Sequence, residues 1–396
     1  MTVEPLGRAT RSRYAAVYDP KLRSIFYQSI LLAILAWLAF EFALNAKANL
    51  QAQNIATGFG FFDNTAGFGV NQSLIAYQES DSYGRVFLVG LLNTLLVSAL
   101  GIALATVIGF LVGIGRLSGN WLIARLAGGY VELIRNLPLL FQILFWYLAV
   151  LGALPPPRAA MSVFDEIFLS NRGIVVPRPL FAEGAGVVLA VLAAGIAATI
   201  ALCFWARRRQ EKTGRQFPVG RTAAGLILGL PLIALAATGF PIGFESPQLR
   251  GFNFVGGITM IPEFVALLIA LSTYTAAFIA EIVRAGILAV PRGQSEAAYS
   301  LGLKPGRSMR LVVIPQAMRV IIPPLTSQFL NLTKNSSLAV GIGYPDLFAV
   351  FAGTTLNQTG QAIEILAITM AVYLFISLVT SLLMNWYNAR LQLAER

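Results

Sequence analysis

Residues 296–315, EAAYSLGLKPGRSMRLVVIP, form one of the few polar stretches of this sequence, and they lie between two long apolar runs. Ser295 is a candidate N-cap, and Glu296 places an acid in the first helical turn, where the positive end of the helix dipole stabilises it. Gly302 is expected to end this helix as a C-terminal cap. Pro305 blocks its continuation and can begin a second helix, because the first turn does not need the missing N–H. The stretch therefore predicts two helices joined by a short turn.

The first of these helices is about two turns long, which is shorter than the roughly 12–15 residues at which an isolated helix becomes marginal in water. A helix of this length needs a surface on which to pack. We interpret the missing surface as another protein, so residues 296–315 are a predicted docking segment. The alternative is an ordinary amphipathic loop between two membrane spans.

The spacing of this segment resembles the EAA loop of ABC importer permeases. The triplet 296–298 is EAA, a glycine follows after three residues, and Val-x-Ile-Pro at 312–315 follows after nine more, where the family pattern reads Ile-x-Leu-Pro. The flanking sequence is similar to the polar amino acid subfamily. The stretches that carry this second resemblance are 130–135, 138–140, 285–287, 290–294 and 315–317.

The resemblance implies an all-α polytopic membrane protein with a type I ABC importer permease core and added helices. It implies that the chain is a transport subunit and not an enzyme, without catalytic or metal-binding residues. The residues that would couple it to a cytosolic ATPase are Glu296, Ala297, Ala298, Gly302 and Pro315. Of these, Gly302 is expected to be the most sensitive to substitution.

The same resemblance implies the partners of the chain. They are two cytosolic ATPase subunits, a second homologous permease, a periplasmic amino-acid-binding protein and an L-amino acid substrate. Relatives with additional spans suggest that the two permeases form a heterodimer. The sequence contains no GxxxxGK[ST] phosphate-binding loop, so the ATP is expected to be used by the partner ATPase, and this chain is expected to bind no cofactor.

The composition favours the bilayer as solvent. Of 396 residues, 57% are hydrophobic and 12% charged, whereas a soluble domain is about 45–50% apolar and about 25% charged. Histidine is absent, which removes the commonest general base and metal ligand and argues against a hydrolase or metal enzyme. The net charge of +11 does not indicate nucleic-acid binding, because the basic residues flank apolar spans.

Membrane spans of roughly 20 apolar residues can be assigned from the apolar runs. We predict about eight, at 25–45, 86–115, 122–152, 180–206, 222–243, 258–285, 318–344 and 361–388. Basic residues concentrate in alternate connections, among them 207–221 and 284–319, whereas acids offset the few basic residues of the others. By the positive-inside rule, both termini and the docking segment are predicted to be cytoplasmic. The family resemblance implies that the membrane is a bacterial inner membrane. The first span, behind Arg8, Arg11 and Arg13, is predicted to be a retained anchor.

The chain divides into four predicted segments. Residues 1–85 comprise a cytosolic segment, an extra span and an outer loop, and 86–153 form the first part of the permease core. Residues 154–257 are predicted to be an insertion of two spans joined by a basic loop. Residues 258–396 form the second part of the core, with the EAA coupling loop at about 285–317.

Lys334 is the outstanding charge inside an apolar run, and such charges usually face a cavity or a partner. Pro323 and Pro324 precede it and are expected to distort the helix. An amino acid substrate has a carboxylate that Lys334 could pair with. The neighbouring side chains that could bind the rest of the substrate are Asn331, Asn335, Ser336 and Ser337, with Glu132 as a further candidate. The alternative is that Lys334 reaches the interface or pairs with an acid such as Glu132.

Two further charge pairs have a three-residue spacing that places both members on one helix face. Glu132 and Arg135 are predicted to pair, either as a structural ion pair or as part of a gate. Glu281 and Arg284 are predicted to be a structural pair at a helix end. The competing function is a secondary transporter driven by an ion gradient, which would need intramembrane carboxylates such as Glu41. An intramembrane enzyme is a third class, and the missing histidine argues against it.

Overall fold

A computed structural model describes residues 20–52 and 57–391. In chain order its α-helices are α1 (Pro20–Ala52), α2 (Tyr83–Gly115), α3 (Trp121–Asn136), α4 (Leu139–Leu144), α5 (Ala185–Thr213), α6 (Val219–Ala224), α7 (Leu230–Ala237), α8 (Pro262–Leu288), α9 (Arg292–Ser300), α10 (Pro305–Ser308), α11 (Ile314–Asn335), α12 (Leu356–Thr359) and α13 (Ala362–Leu391). Arg8, Arg11, Arg13 and both termini, on which the predicted topology partly depends, lie outside the described residues.

More loosely or tightly wound turns extend several of these helices. The π-helical segments are Phe145–Leu151, Gly225–Gly229, Met309–Val313 and Phe348–Thr355, and the longest 3-10 segment is Ser336–Ile342. As a result α6 and α7 form one continuous rod, as do α10 and α11. Pro323 and Pro324 lie inside α11, whose winding stays α-helical there. The irregular winding lies instead at Met309–Val313, before the two prolines, and at Ser336–Ile342, after them.

Within the described residues, six helices are long and apolar enough to cross a membrane, or up to seven if one bent pair is a single span. The six match six of the predicted spans. The predicted span 122–152 is the bent pair, because Leu137 is extended before Pro138 and the chain turns by 108° there. A residue that precedes proline is sterically disfavoured in the helical region. The predicted span 318–344 contains α11, which is too polar to be counted with the six.

The core of the bundle is the packing of α2 against α8 and α11. A Cβ on Gly109 would lie 2.6 Å from Ile279, and one on Gly113 would lie 2.8 Å from Val283. Both contacts require the backbones of α2 and α8 to approach closely, as small residues allow in lipid. These glycines of α2 therefore serve helix packing.

Short β-strands occupy the connections on either side of the α5–α7 pair, which the sequence analysis did not predict. They are β1 (Met161–Val163), β2 (Ile167–Ser170), β3 (Gly173–Val176), β4 (Arg178–Phe181), β5 (Ile242–Glu245), β6 (Gln248–Arg250), β7 (Asn253–Val255) and β8 (Ile258–Met260). One antiparallel sheet has the order β1-β2-β3-β8, and β4 pairs with β5. These pairings hold both connections at the same end of the bundle. The helical pair α5 to α7 therefore leaves and re-enters the core at a small sheet.

The loop 57–82 packs on the end of the core that also carries residues 343–364. We call this end the loop end. Asn93 of α2 donates hydrogen bonds of 2.9 Å to the carbonyls of Gln72 and Pro345, which ties the loop to the core. The aromatic ring of Phe61 packs against that of Phe351. The loop 57–82 is thus packed against the helical core by both hydrogen bonds and aromatic contacts.

The opposite end of the bundle carries the end of α2, the end of α8 and the whole of α9 and α10. We call it the coupling end. Because α2 and α8 pack with Gly109 beside Ile279 and Gly113 beside Val283, they run in the same direction and finish together there. The predicted docking segment and the ends of two core helices therefore share one face of the protein.

Candidate functional site

The first half of the candidate site is the short helix α9. It begins at Arg292 after an extended Pro291, and not at Glu296 after Ser295 as predicted. Proline fixes its own backbone at an angle that suits a helix entry, and the first turn closes with the Gln294 N–H donating to the Pro291 carbonyl at 3.0 Å. Ser295 therefore lies within the helix, where its side chain makes no capping hydrogen bond.

The end of α9 has the geometry that the sequence predicts. Gly302 has a φ of +78°, a left-handed conformation that disfavours residues with a Cβ. Its N–H donates to the Tyr299 carbonyl at 2.8 Å, and the Leu303 N–H donates to the Ala298 carbonyl at 3.1 Å. These two bonds make a Schellman motif. Pro305 begins α10 three residues later, as expected.

One face of α9 lies against its own chain and the other is exposed. Ala298 is only 4% exposed, and Gln316 of α11 donates a hydrogen bond of 3.1 Å to Gln294. Tyr299, the next residue of α9, is 49% exposed, and Leu301, directly after the helix, is 83% exposed. A helix with large apolar groups in solvent and a fixed seat on α11 is suited to receive a push from a partner and pass it to α11.

The predicted coupling residues divide between these two faces. Glu296, Ala297 and Gly302 are exposed at the coupling end, whereas Ala298 is buried inside the chain. Of the two alanines, only Ala297 is therefore free to meet a partner. Pro315 is exposed in the first turn of α11 and connects the segment to that helix.

The second half of the candidate site is a cavity of about 420 Å³ at the far end of α11. Lys334 and Ser337 line one wall of it, and α13 and the segment Phe348–Thr355 supply the others. The remaining lining residues are Phe348, Leu366, Thr369, Met370, Tyr373, Leu374 and Ser377. The ammonium group of Lys334 forms no ion pair with any residue that the structure describes.

The structure brings only some of the predicted substrate-binding residues to this cavity. Asn331 is exposed and Asn335 half-buried, and neither lines this cavity. Ser336 is fully buried and donates its hydroxyl to the Thr333 carbonyl at 2.8 Å. Glu132 is an exposed residue of α3 that does not line the cavity either. Lys334 and Ser337 are the two predicted residues that the fold brings to it.

Sequence reasoning missed a buried acid beside this cavity. Asp346 is fully buried and accepts hydrogen bonds from the Ala349 N–H at 2.8 Å and from the Tyr373 hydroxyl at 3.2 Å. Tyr373 itself lines the cavity. A signal was present, since Asp346 is the one acid of the apolar run 338–352. The cavity therefore has a free cation on one wall and a tyrosine held by a buried acid on another.

A cluster around Glu281 forms at the coupling end. Its carboxylate accepts a hydrogen bond of 2.7 Å from Arg284, which confirms the predicted pair, and it also binds Arg116 at the end of α2. Arg135 of α3 lies 3.9 Å away from the same carboxylate. Arg135 does not pair with Glu132, so that prediction is wrong among the described residues. Tertiary packing of α3 on α8 brings Arg135 to an acid that spacing along α3 could not reveal.

Comparison with known proteins gives one family and close relatives. Residues 105–393 match the family described as the binding-protein-dependent transport system inner membrane component. The chain is 53% identical to the general L-amino acid transport system permease protein AapQ of Rhizobium johnstonii, over 99% of this chain and 98% of the relative. It is 52% identical to the putative amino-acid ABC transporter permease protein YhdX of Escherichia coli, over 98% and 99%. It is 45% identical to the glutamate/glutamine/aspartate/asparagine transport system permease protein BztB of Rhodobacter capsulatus, over 96% of each.

Proposed function

The chain belongs to the family of inner membrane components of binding-protein-dependent transport systems, and we propose that it is the permease subunit of an ATP-driven importer of L-amino acids. The observation that carries the proposal is the match over nearly the whole chain to permeases named for amino acids. The exposed face of α9 supports the same role. The chain would move substrate by changing conformation and would do no covalent chemistry.

The proposed partners follow from the exposed apolar groups of α9 and from the absence of a phosphate-binding loop in the sequence. One cytosolic ATPase would dock on α9 through Ala297, Tyr299 and Leu301, and a second would dock on the second permease, since this chain has no phosphate-binding loop of its own. ATP would therefore be bound and hydrolysed by the partner. A second permease, in a heterodimer, and a periplasmic amino-acid-binding protein would complete the assembly. The coupling end and both termini would be cytoplasmic.

The proposed mechanism is alternating access, with α11 as the connecting part. Closure of the ATPases would push α9, which packs on the segment Met309–Val313 that leads into α11 and is bonded to α11 through Gln316 and Gln294. The far end of α11 carries Lys334 into the cavity. A displacement of α9 would thus alter the cavity wall. The loaded binding protein would deliver substrate at the loop end.

Within the cavity, Lys334 is the group best placed to meet the substrate carboxylate. An amino acid also carries an ammonium group, and oxygen atoms of Ser337, Thr369 and Tyr373 are acceptors for it on the same lining. The apolar residues between them leave room for a side chain. We propose this cavity as the transport site, with Asn331, Asn335, Ser336 and Glu132 outside its lining.

The test is uptake of radiolabelled L-amino acids into proteoliposomes that contain this chain and its partner subunits. We expect uptake that requires ATP and the binding protein and that is unchanged when ion gradients are collapsed by ionophores. Gly302→Asp should abolish uptake while the complex still assembles. Uptake by this chain alone that follows an ion gradient and ignores Gly302 would overturn the proposal in favour of a secondary transporter.

A further inference from the structure

We infer that the basic end of the α5–α7 helical pair binds the phosphate headgroup of an anionic phospholipid such as phosphatidylglycerol. The site is a cavity of about 460 Å³ between α5 and the start of α6. It is lined by Thr199, Ile200, Cys203, Phe204, Ala206, Arg207, Gln210, Phe217 and Val219. None of these residues takes part in the proposed coupling segment or transport cavity.

One face of α5 changes from apolar to charged along the cavity. Thr199, Cys203, Arg207 and Gln210 follow one another at spacings of four, four and three, which places them on the same side of the helix. Arg207 and Gln210 lie towards the basic end, and Thr199 lies about two to three turns deeper. The order suits an amphiphile with its phosphate at Arg207 and its glycerol and acyl chains beyond.

The charge of the surrounding segment favours an anion. Residues 207–221 contain six basic residues and one acid, Glu211. None of these six forms an ion pair with another residue that the structure describes. A juxtamembrane cluster of this size attracts anionic headgroups to the membrane surface around it.

The arginines of the cluster have different tasks. The guanidinium of Arg209 stacks 5.2 Å from the ring of Trp205 and 5.9 Å from that of Phe217. This stacking holds Phe217 at the cavity rim, since Phe217 also lines the cavity. Arg207 is not engaged in this way and lines the cavity itself. Arg209 therefore positions an aromatic ring of the cavity, and Arg207 supplies its positive charge.

The rest of the cavity and of the helical pair indicates a lipid as the occupant. A free phosphate would leave Ile200, Phe204 and Val219 facing an empty apolar space, which an acyl chain fills. The described residues of α5 to α7 pack chiefly on one another, and most large apolar side chains on their outer surface are exposed. Helices of this kind in a membrane are surrounded by lipid. The positive-inside rule accounts for the number of basic residues but not for a cavity beneath one of them.

The experiment uses the full chain, alone and in complex with its partner subunits, purified in detergent and reloaded with phosphatidylglycerol or phosphatidylethanolamine of the same acyl chains. Retained lipid is counted by mass spectrometry. We expect both samples to retain phosphatidylglycerol about five-fold better, and Arg207→Gln to remove that preference, since one basic residue contributes about 1 kcal/mol. Arg215→Gln removes the same charge from the same loop, outside the cavity lining, and should retain the preference.

Four results would overturn the inference. They are equal retention of both lipids, equal losses in Arg207→Gln and Arg215→Gln, displacement of phosphatidylglycerol by an equal concentration of inorganic phosphate, and retention by the chain alone but not by the complex. The last would mean that a protein partner covers the site. Cys203, the single cysteine of the chain, gives a second measurement, because its alkylation should be slowed by phosphatidylglycerol and not by phosphatidylethanolamine.

Discussion

Glu281 accepts a hydrogen bond of 2.7 Å from Arg284 one helical turn away, and the same carboxylate reaches across to Arg116 on another helix. The first contact lies within α8, whereas the second ties α8 to the end of α2. Both helices finish at the coupling end, next to α9. The carboxylate of Glu281 therefore holds together the ends of α2 and α8, which lie next to the helix on which the proposed push acts.

We predict that Glu281→Gln lowers the stability of the folded chain and the rate of ATP-dependent uptake together. The glutamine keeps the size of the side chain but loses the charge that binds Arg116 and Arg284. Hydrogen bonds to charged groups contribute about 1.5–3 kcal/mol each, and partial exposure of this cluster places the effect at the lower end of that range. Thermal unfolding followed by fluorescence-detected size exclusion measures the first effect, and proteoliposome uptake the second.

Glu263→Gln is the matched control for this prediction. Glu263 lies in the first turn of the same helix, at the loop end, where it accepts a hydrogen bond of 2.9 Å from Tyr147. A glutamine oxygen can accept the same bond, so stability and uptake should stay close to wild type. Equal effects of the two substitutions would show that the position of the charge in the cluster does not matter.

The effect of a substitution at Gly302 on uptake should depend on backbone conformation more than on side-chain size. Its φ of +78° costs a residue with a Cβ about 1–2 kcal/mol, and asparagine tolerates this region best among such residues. We expect uptake to fall in the order glycine, asparagine, alanine, whereas the amount of ATPase bound to the permease should stay the same. Co-purification of the ATPase measures the second quantity.

Gly306→Ala serves as the comparison, because Gly306 lies in α10 and a Cβ there would meet nothing within 4 Å. It should transport at the wild-type rate. If Gly302→Ala transports as well as Gly306→Ala, the Schellman turn at the end of α9 is not needed for coupling.

Lys334 is expected to affect substrate affinity more than coupling. Lys334→Met keeps the length of the side chain and removes the charge that lines the cavity, so the KM for uptake should rise by about ten-fold, the equivalent of roughly 1.4 kcal/mol. Lys334→Arg should retain most of the affinity. ATPase stimulation by the loaded binding protein should be less affected, since Lys334 is far along α11 from α9.

Asn331→Ala tests whether the cavity or the polar stretch of sequence defines the site. Asn331 is three residues from Lys334 and was grouped with it from the sequence, but it does not line the cavity. We expect its KM to stay near the wild-type value. A larger effect from Asn331 than from Lys334 would move the transport site to the outer face of α11.

Features that depend on local chemistry could be predicted from the sequence. Gly302 and Pro305 end one helix and begin the next by their own backbone limits, and the structure shows both. The start of α9 was predicted four residues too late, with Ser295 as the N-cap, because Pro291 already sets an extended residue before the helix. A polar side chain is one way to begin a helix, and a fixed backbone is another.

Features that depend on distant parts of the chain could not be predicted in this way. Arg135 finds Glu281 only because α3 packs on α8, so the nearer Glu132 was the obvious partner on spacing alone. The strands near 161–181 and 242–260 have three or four residues each, which is too short for a clear alternation of apolar and polar positions. The cavity beside Lys334 is completed by α13, some 30 to 40 residues further along the chain.

One close contact between α2 and α8 gives a final prediction, which concerns folding and not transport. A Cβ on Gly109 would lie 2.6 Å from Ile279 and 3.0 Å from the Ala276 carbonyl, so α2 and α8 would have to move apart. Overpacking of this kind costs about 1–3 kcal/mol, and we expect Gly109→Ala to lower the unfolding temperature and the yield of folded chain. Gly129→Ala is the control, because nothing lies within 4 Å of a Cβ at that position of α3. Ile279→Ala in the Gly109→Ala background makes room at the contact and should restore part of the loss. A Gly109→Ala chain as stable as Gly129→Ala would mean that α2 and α8 do not pack at this distance.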